Sequence, residues 1–510
     1  MDSEVLADAA GVDRGREPPR RVGAGQLWGR LVAVVSRRYW VLAVAGVAVV
    51  VRLPLLGTPL DPDEGGYAYV ARQWANGSAL YGQGAWVDRP VGLMLVFRWV
   101  TDVSYSATGL RVAASLASVA LAVAVACVAR ALSGAPAGLL AGVLAGVVLA
   151  GPFIEGYQLN GELLAAAVGT WGVAVAVWWS AGRLPAGWLV LAGALAAAAP
   201  LVKQSAVDTL VAVLAVAAAR AVATRRVAPL AAVVAGACLP VVAAVVWAVS
   251  NGWSRAWFAV ARFQADVAAS QSVGDRVSAV ASSIRHVAPD MVCLWLAAAL
   301  AAAVLVRRRR LLWPVPLWAA AAVLAVVTSP FGHPHYWVQA VGPLCVLSVS
   351  MVPALAAMSV RRRRVAVAAL TLAVVLPLVS QVSVLARDPV SRSVALTGDS
   401  RLAADSDVAA WLRAHDPVTE PIYAFVGAAE IYLVSGRHTA YPYLWFEAVQ
   451  RVPGALPLLE RWLSSPAGPQ FVVLYQSPKV VEPKGPLGAI LRARYVRAAI
   501  IDGYVVLERR

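Results

Sequence analysis

The sequence predicts a polytopic α-helical membrane protein of about eleven spans, followed by a small C-terminal extracytoplasmic α/β domain. Three observations carry this. Of the 510 residues 60% are hydrophobic and 14% charged, with a mean hydropathy of +0.69, whereas an ordinary soluble domain is about 45–50% apolar and about 25% charged. The apolar residues are gathered into runs long enough to cross a hydrocarbon core, which takes roughly 17–25 residues per helix. From about Asp388 onward the composition turns mixed and soluble in character.

The formal charge of +16 raises nucleic acid as a partner, and its distribution speaks against one. Arg37-Arg38, Arg225-Arg226, the run Arg307 to Arg310 and the run Arg361 to Arg364 stand between apolar stretches. That is how cytoplasmic loops look under the positive-inside rule. A nucleic-acid-binding face would interleave such residues with aromatics. Cys127, Cys238, Cys293 and Cys345 fall inside apolar runs with no metal-ligand spacing and read as small buried side chains.

In chain order, residues 1–38 are charged, dotted with Gly and Pro, and aperiodic, so they read as a disordered basic cytoplasmic tail. The apolar run after Arg38 is too long for a cleavable signal and lacks a small-residue cleavage pattern. A membrane domain over 39–387 contains spans at about 39–56, 107–131, 135–153, 163–180, 186–201, 206–219, 227–249, 291–306, 311–328, 336–358 and 365–385. The sixth is short and contains Asp208. With the N-terminus inside, Arg130, Arg183, Arg220 and both four-Arg runs fall on the cytoplasmic side, and removing one span would misplace a four-Arg run. The extracytoplasmic set is then the first loop (57–106), 151–162, the Lys203-Gln204 turn, 251–290, 329–335 and everything after 385.

The last part, 388–510, reads as the α/β domain. Ser406 is placed as the cap of a helix over 407–414. Residues 421–426 and 470–475 read as strands, and 430–435 as a helix stopped by Gly436. Residues 495–501 and 504–509 flank Asp502-Gly503, a hairpin signal. No triad or metal cluster is visible here, so this domain is expected to support or recognise instead of catalysing.

The first loop opens with Asp61-Pro-Asp63-Glu64, three carboxylates in four positions. Tyr67, Val70, Ala71 and Trp74 then form one helical stripe, with Arg72, Gln73 and Asn76 turned away and Gly77 as the stop. Such a segment beside a span is expected to lie in the bilayer interface, with Asp63 and Glu64 at its positive end. Two readings fit: the acids cap a helix, or they work at the mouth of what the spans enclose. Ionisable groups at membrane depth are costly and mark function. On the outer side they gather as Asp61, Asp63, Glu64, Asp88 and Arg89, then Glu155, Asn160 and Glu162, then Lys203 and Gln204, then His333, His335 and Tyr336. Lys203 also fits a snorkelling helix end, and the two His also fit a plain loop around Pro334.

Taken in this order, these residues resemble the membrane glycosyltransferases that draw sugar from a polyprenyl-phosphate carrier, the group of the protein O-mannosyltransferases and the lipid A aminoarabinose transferase, with the GT-C fold. The resemblance covers the whole membrane part. It rests on Asp63-Glu64 with Tyr67 after the first span, Asp88-Arg89-Pro90, Asn160-Gly-Glu-Leu-Leu164, Lys203-Gln204, and His335-Tyr336 leading to Gly342-Pro343-Leu344. It departs in having Glu162 where Asp is common, Arg89 where some members have Lys, and Asp61 as an extra carboxylate. Arg keeps the phosphate role, because its fork meets phosphate bidentately.

The resemblance implies transfer of a hexosyl or pentosyl group from a polyprenyl-phosphate sugar to an extracytoplasmic acceptor, by one displacement with inversion, in the plasma membrane. Asp63 is the expected base with Asp61 as competitor, and Glu64 is expected to orient substrate. Arg89 and Lys203 would hold the donor phosphate and Glu162 the sugar or acceptor, with Asp88, His335 and Tyr336 around them. Asp63, Glu162 and His335 are donors a divalent metal accepts, but their spacing demands none, and metal stays unassigned. Two other classes remain. A transporter or flippase would show repeated halves and mid-span charges, and neither is found. A non-catalytic envelope scaffold would lack the first-loop acids, and they are present.

Overall fold

The computed structural model describes residues 38–307, 314–398, 400–415, 420–425 and 427–510. Of the expected 1–38 tail only Arg38 falls within them, and of the first four-Arg run only Arg307. Long apolar helices dominate, as a chain without water around its backbone requires. Six are long and apolar enough to cross a membrane: Ala107–Ser133, Gly161–Ser180, Ala228–Asn251, Val273–Arg307, Pro334–Ala357 and Val360–Leu385. Four shorter apolar helices join them, Trp40–Leu55, Ala135–Val148, Trp188–Leu201 and Pro314–Val327. The place of the expected sixth span holds the helix Asp208–Thr224, which belongs to neither group, so the count of eleven is not established. Its Asp208 is buried and accepts from the Trp318 indole at 2.8 Å.

The C-terminal part carries a four-stranded sheet: β1 (Ile422–Phe425), β2 (Phe471–Leu474), β3 (Tyr495–Ile501) and β4 (Tyr504–Arg509), in the order β1-β2-β4-β3. The pair β1 and β2 is parallel and needs a crossover, which short helices supply. β3 and β4 form the hairpin expected at Asp502-Gly503, both with positive φ (42° and 103°), the primed turn that Asp-Gly favours. The helix Glu430–Ser435 ends on Gly436 in the left-handed region, as read from sequence. The helix expected at 407–414 is Asp405–His415, with Ser406 inside it and not at its cap.

One expectation is corrected. The first-loop helix, α1 (Pro62–Ala75), does not lie with one face to an interface, because every residue from Glu64 to Ala71 is buried. The face that lacks large apolar side chains is covered by the C-terminal part. There α1 meets α2 (Glu430–Ser435): a Cβ on Gly65 would come 2.2 Å from the Glu430 Cα, and one on Gly66 would come 2.6 Å from the Trp445 ring. Bare backbone at both positions lets the two parts close on each other. The Tyr69 ring packs on that of Tyr432 with centroids 4.8 Å apart and planes tilted by 31°, and its hydroxyl accepts from the Thr439 N–H at 3.0 Å.

Candidate active site

Capping in the first loop falls on Asp61 and Glu64 and not on Asp63. Asp61 is the N-cap of α1, accepting from the Asp63 N–H at 2.9 Å, while Glu64 completes a capping box on the Asp61 N–H at 3.2 Å. Glu64 is also paired with the buried Arg111 guanidinium and accepts from the Leu159 N–H at 2.6 Å. Its oxygens are thus engaged by the protein itself. Asp63 does no capping and is turned instead toward the polar cluster.

That cluster is continuous. The Tyr67 hydroxyl donates to Asp63 Oδ2 at 2.8 Å and accepts from Arg89 Nε at 2.7 Å. An Arg89 terminal nitrogen lies 3.7 Å from Asp63 Oδ2, and the other is 2.7 Å from Asp88 Oδ2. Gln264, from the 251–290 segment, donates to Asp88 Oδ2 at 2.6 Å, which fixes the carboxylate that orients Arg89. Across the cavity Lys203 Nζ sits 2.6 Å from Glu162 Oε1 and 4.7 Å above the Tyr336 ring. His335 Nδ1 pairs with Glu155 Oε2 at 2.7 Å, and its Nε2 is 4.0 Å from Glu162.

Every residue expected at the site therefore lies in or against one cluster, with Asp61 and Glu64 as its structural rim. Asp63, Glu64, Tyr67, Arg89, Asn160, Glu162, Lys203 and His335 are among the residues that line a cavity of about 10 Å³, room for roughly one water. The loop that carries Glu155 and Asn160 is pinned from three sides. Arg52 donates to the Leu149, Gly156 and Tyr157 carbonyls (3.1, 2.8 and 3.0 Å), Asp290 accepts from the Phe153 and Ile154 N–H groups, and Glu64 holds Leu159.

The two leading carboxyls differ in ionisation. Burial raises Asp61, the neighbouring Asp63, Glu155 and Glu64 carboxylates raise it further, and it is pushed up to about 8. Burial also opposes ionisation of Asp63, but the adjacent Arg89 and the Tyr67 hydroxyl outweigh it, so its carboxyl lies below the usual range. The surroundings thus push Asp61 toward its neutral form and Asp63 toward its anion. For metal, among the described residues no group of three His, Cys, Asp or Glu side chains is arranged to hold an ion.

No protein-family model matches the chain, and no curated protein does. Solved structures do match. ArnT from Cupriavidus metallidurans bound to undecaprenyl phosphate aligns with a TM-score of 0.62 at 16% identity, over 95% of this chain and 98% of that one. The archaeal oligosaccharyltransferase AglB from Archaeoglobus fulgidus, in complex with an inhibitory peptide and a dolichol-phosphate, aligns with a TM-score of 0.52 at 12% identity, over 86% of this chain and 69% of that one.

The fold is GT-C. The resemblance read from the motifs is borne out at that level. Within the GT-C frame, three contributors escaped the sequence reading. Arg111 had a weak signal, a lone cation at the head of an apolar helix. Gln264 and Trp445 had none, because nothing local marks a residue whose partner is 176 or 382 positions away.

Proposed function

We propose that this chain is an integral membrane glycosyltransferase that moves a sugar from a polyprenyl-phosphate donor to an extracytoplasmic acceptor with inversion. The observation that carries the reading is the juxtaposition of one ionised carboxylate, Asp63, with two cations, Arg89 and Lys203, around one cavity. The neighbours of the same fold support the class of carrier, since ArnT is solved with undecaprenyl phosphate and AglB with dolichol-phosphate.

The chemistry follows from the geometry. Asp63 accepts the proton of the acceptor hydroxyl as its oxygen attacks the anomeric carbon, a contribution of typically 10²–10⁴-fold. The bond from that carbon to the phosphate oxygen breaks, and the electron pair leaves with the lipid phosphate. Arg89 and Lys203 meet the charge that develops there. Asp88 orients Arg89, Glu162 positions Lys203 and the sugar, and Tyr336 and His335 wall the Lys203 side. Asp61 and Glu64 hold the helix in place.

Arg89 separates this reading from an interfacial anchor. Assayed for transfer from undecaprenyl-phosphate mannose and undecaprenyl-phosphate arabinose in membranes, Arg89→Ala is expected to lose about 10²-fold or more. Arg89→Lys keeps part of the rate, because charge survives and only the fork is lost. Wild-type turnover in both variants returns Arg89 to the anchor class. Sidedness is tested independently. The proposed arrangement has residues 39–387 in the membrane, the N-terminus in the cytoplasm and 388–510 outside, so a reporter active only outside the membrane gives signal when fused after Arg510. A silent, normally expressed fusion reverses the site's face.

A further inference from the structure

We propose that Trp445, on the C-terminal domain, is a positioning residue for the Asp63 carboxylate, so that this domain completes the active centre. The inference rests on Asp63 being the base. The Trp445 indole N–H donates to Asp63 Oδ1 at 2.8 Å, while the Tyr67 hydroxyl donates to Oδ2 at 2.8 Å. An indole N–H is a donor only and has no second role to play toward a carboxylate. The two oxygens are therefore held by two different parts of the molecule, which sets the plane of the carboxylate.

The surroundings hold the indole in this place. Its ring packs on the Tyr67 ring with centroids 5.5 Å apart and lies over Gly66, where a Cβ would come 2.6 Å from its edge. Tyr67 in turn meets Phe97 edge-on at 5.5 Å, on the helix Val91–Val103 of the same first loop. A hydrogen bond to the ionised form of an acid favours that form. Docking of the C-terminal domain thus orients Asp63 and favours its anion together.

The test uses the full chain in lipid nanodiscs and needs no substrate for its first readout. Infrared pH titration, with the Asp63→Asn spectrum subtracted, isolates the Asp63 carboxylate band. In Trp445→Phe, which keeps an aromatic ring on Tyr67 and removes the N–H, the midpoint is expected to rise by about one pH unit. Trp445→Gln keeps an N–H donor without the ring and holds the midpoint near wild type. In transfer from the two undecaprenyl-phosphate sugars, Trp445→Phe shifts the acidic limb of the pH–rate profile upward. It also lowers kcat about 10-fold on that limb, with KM for the donor unchanged. An unmoved midpoint in Trp445→Phe, or an equal rise in Trp445→Gln, overturns the proposal. The two levels of inference fail separately. Wild-type transfer by Asp63→Asn sinks the base reading and this inference with it, whereas an inactive Asp63→Asn beside a wild-type Trp445→Phe sinks this inference alone.

Discussion

Asp63→Asn is expected to insert and fold as the wild type does and to lose about 10²-fold or more in sugar transfer, whereas Asp61→Asn is expected to transfer at close to the wild-type rate. The amide is isosteric with the acid but cannot take up the acceptor's proton. At Asp61 the outcome is the reverse, for two reasons visible in the structure. The Asp61 side chain serves as an N-cap, and Asn caps about as well as Asp. Its carboxyl is pushed up to about 8 by burial and by its carboxylate neighbours, toward the neutral form, so a neutral amide is the smaller change there. Transfer rates of both variants, normalised to protein inserted in the membrane, check the pair. If Asp61→Asn is the inactive one, the base is assigned to the wrong carboxylate. If both retain full activity, the first loop is not catalytic.

Glu64→Ala has the largest expected effect on stability, a loss of about 3–5 kcal/mol. The Arg111 guanidinium is 1% exposed and would be left without its carboxylate, and removing one partner of a buried ion pair strands the other charge in low dielectric. The loss spreads, because the same carboxylate holds the Leu159 N–H of the second loop and the Asp61 N–H of the capping box. Thermal unfolding in detergent measures it. An acid whose business is substrate would behave differently, with normal stability and reduced turnover. That outcome would restore Glu64 to the substrate-orienting role read from the motif.

What was legible in the sequence, and what was not, divides by the range of the interaction. Apolar runs and Arg clusters report local free energies of transfer, so most helices of the membrane part stand where they were read. The Asp502-Gly503 hairpin and the stop at Gly436 were legible for the same reason, since a positive φ is a property of one or two residues. The acids of the first loop were visible as a group but not in their roles. Asp61, Asp63 and Glu64 have the same chemistry, and only the direction in which α1 aims each side chain separates the cap, the ion-pair partner and the carboxylate proposed as base. The placement of α1 itself was misread. Its stripe of Tyr67, Val70, Ala71 and Trp74 is what an interfacial helix shows. Its second face, Gly65, Gly66 and Tyr69, is buried only because a segment more than 360 residues later covers it.

The pairing of the two cations has a consequence for turnover. Lys203 is held by Glu162, and Arg89 by Asp88 and Asp63, so a phosphate entering the site exchanges with carboxylates and does not meet bare charge. The proposed polyprenyl-phosphate donor is a phosphodiester with a single negative charge. The lipid phosphate left after transfer is a monoester, which takes on most of a second charge near neutral pH. Two unopposed cations would grip that spent carrier more tightly than the incoming donor and stall the cycle at its release, a step that limits many enzymes. Here Glu162 and Asp88 stand ready to reclaim Lys203 and Arg89 as the carrier departs.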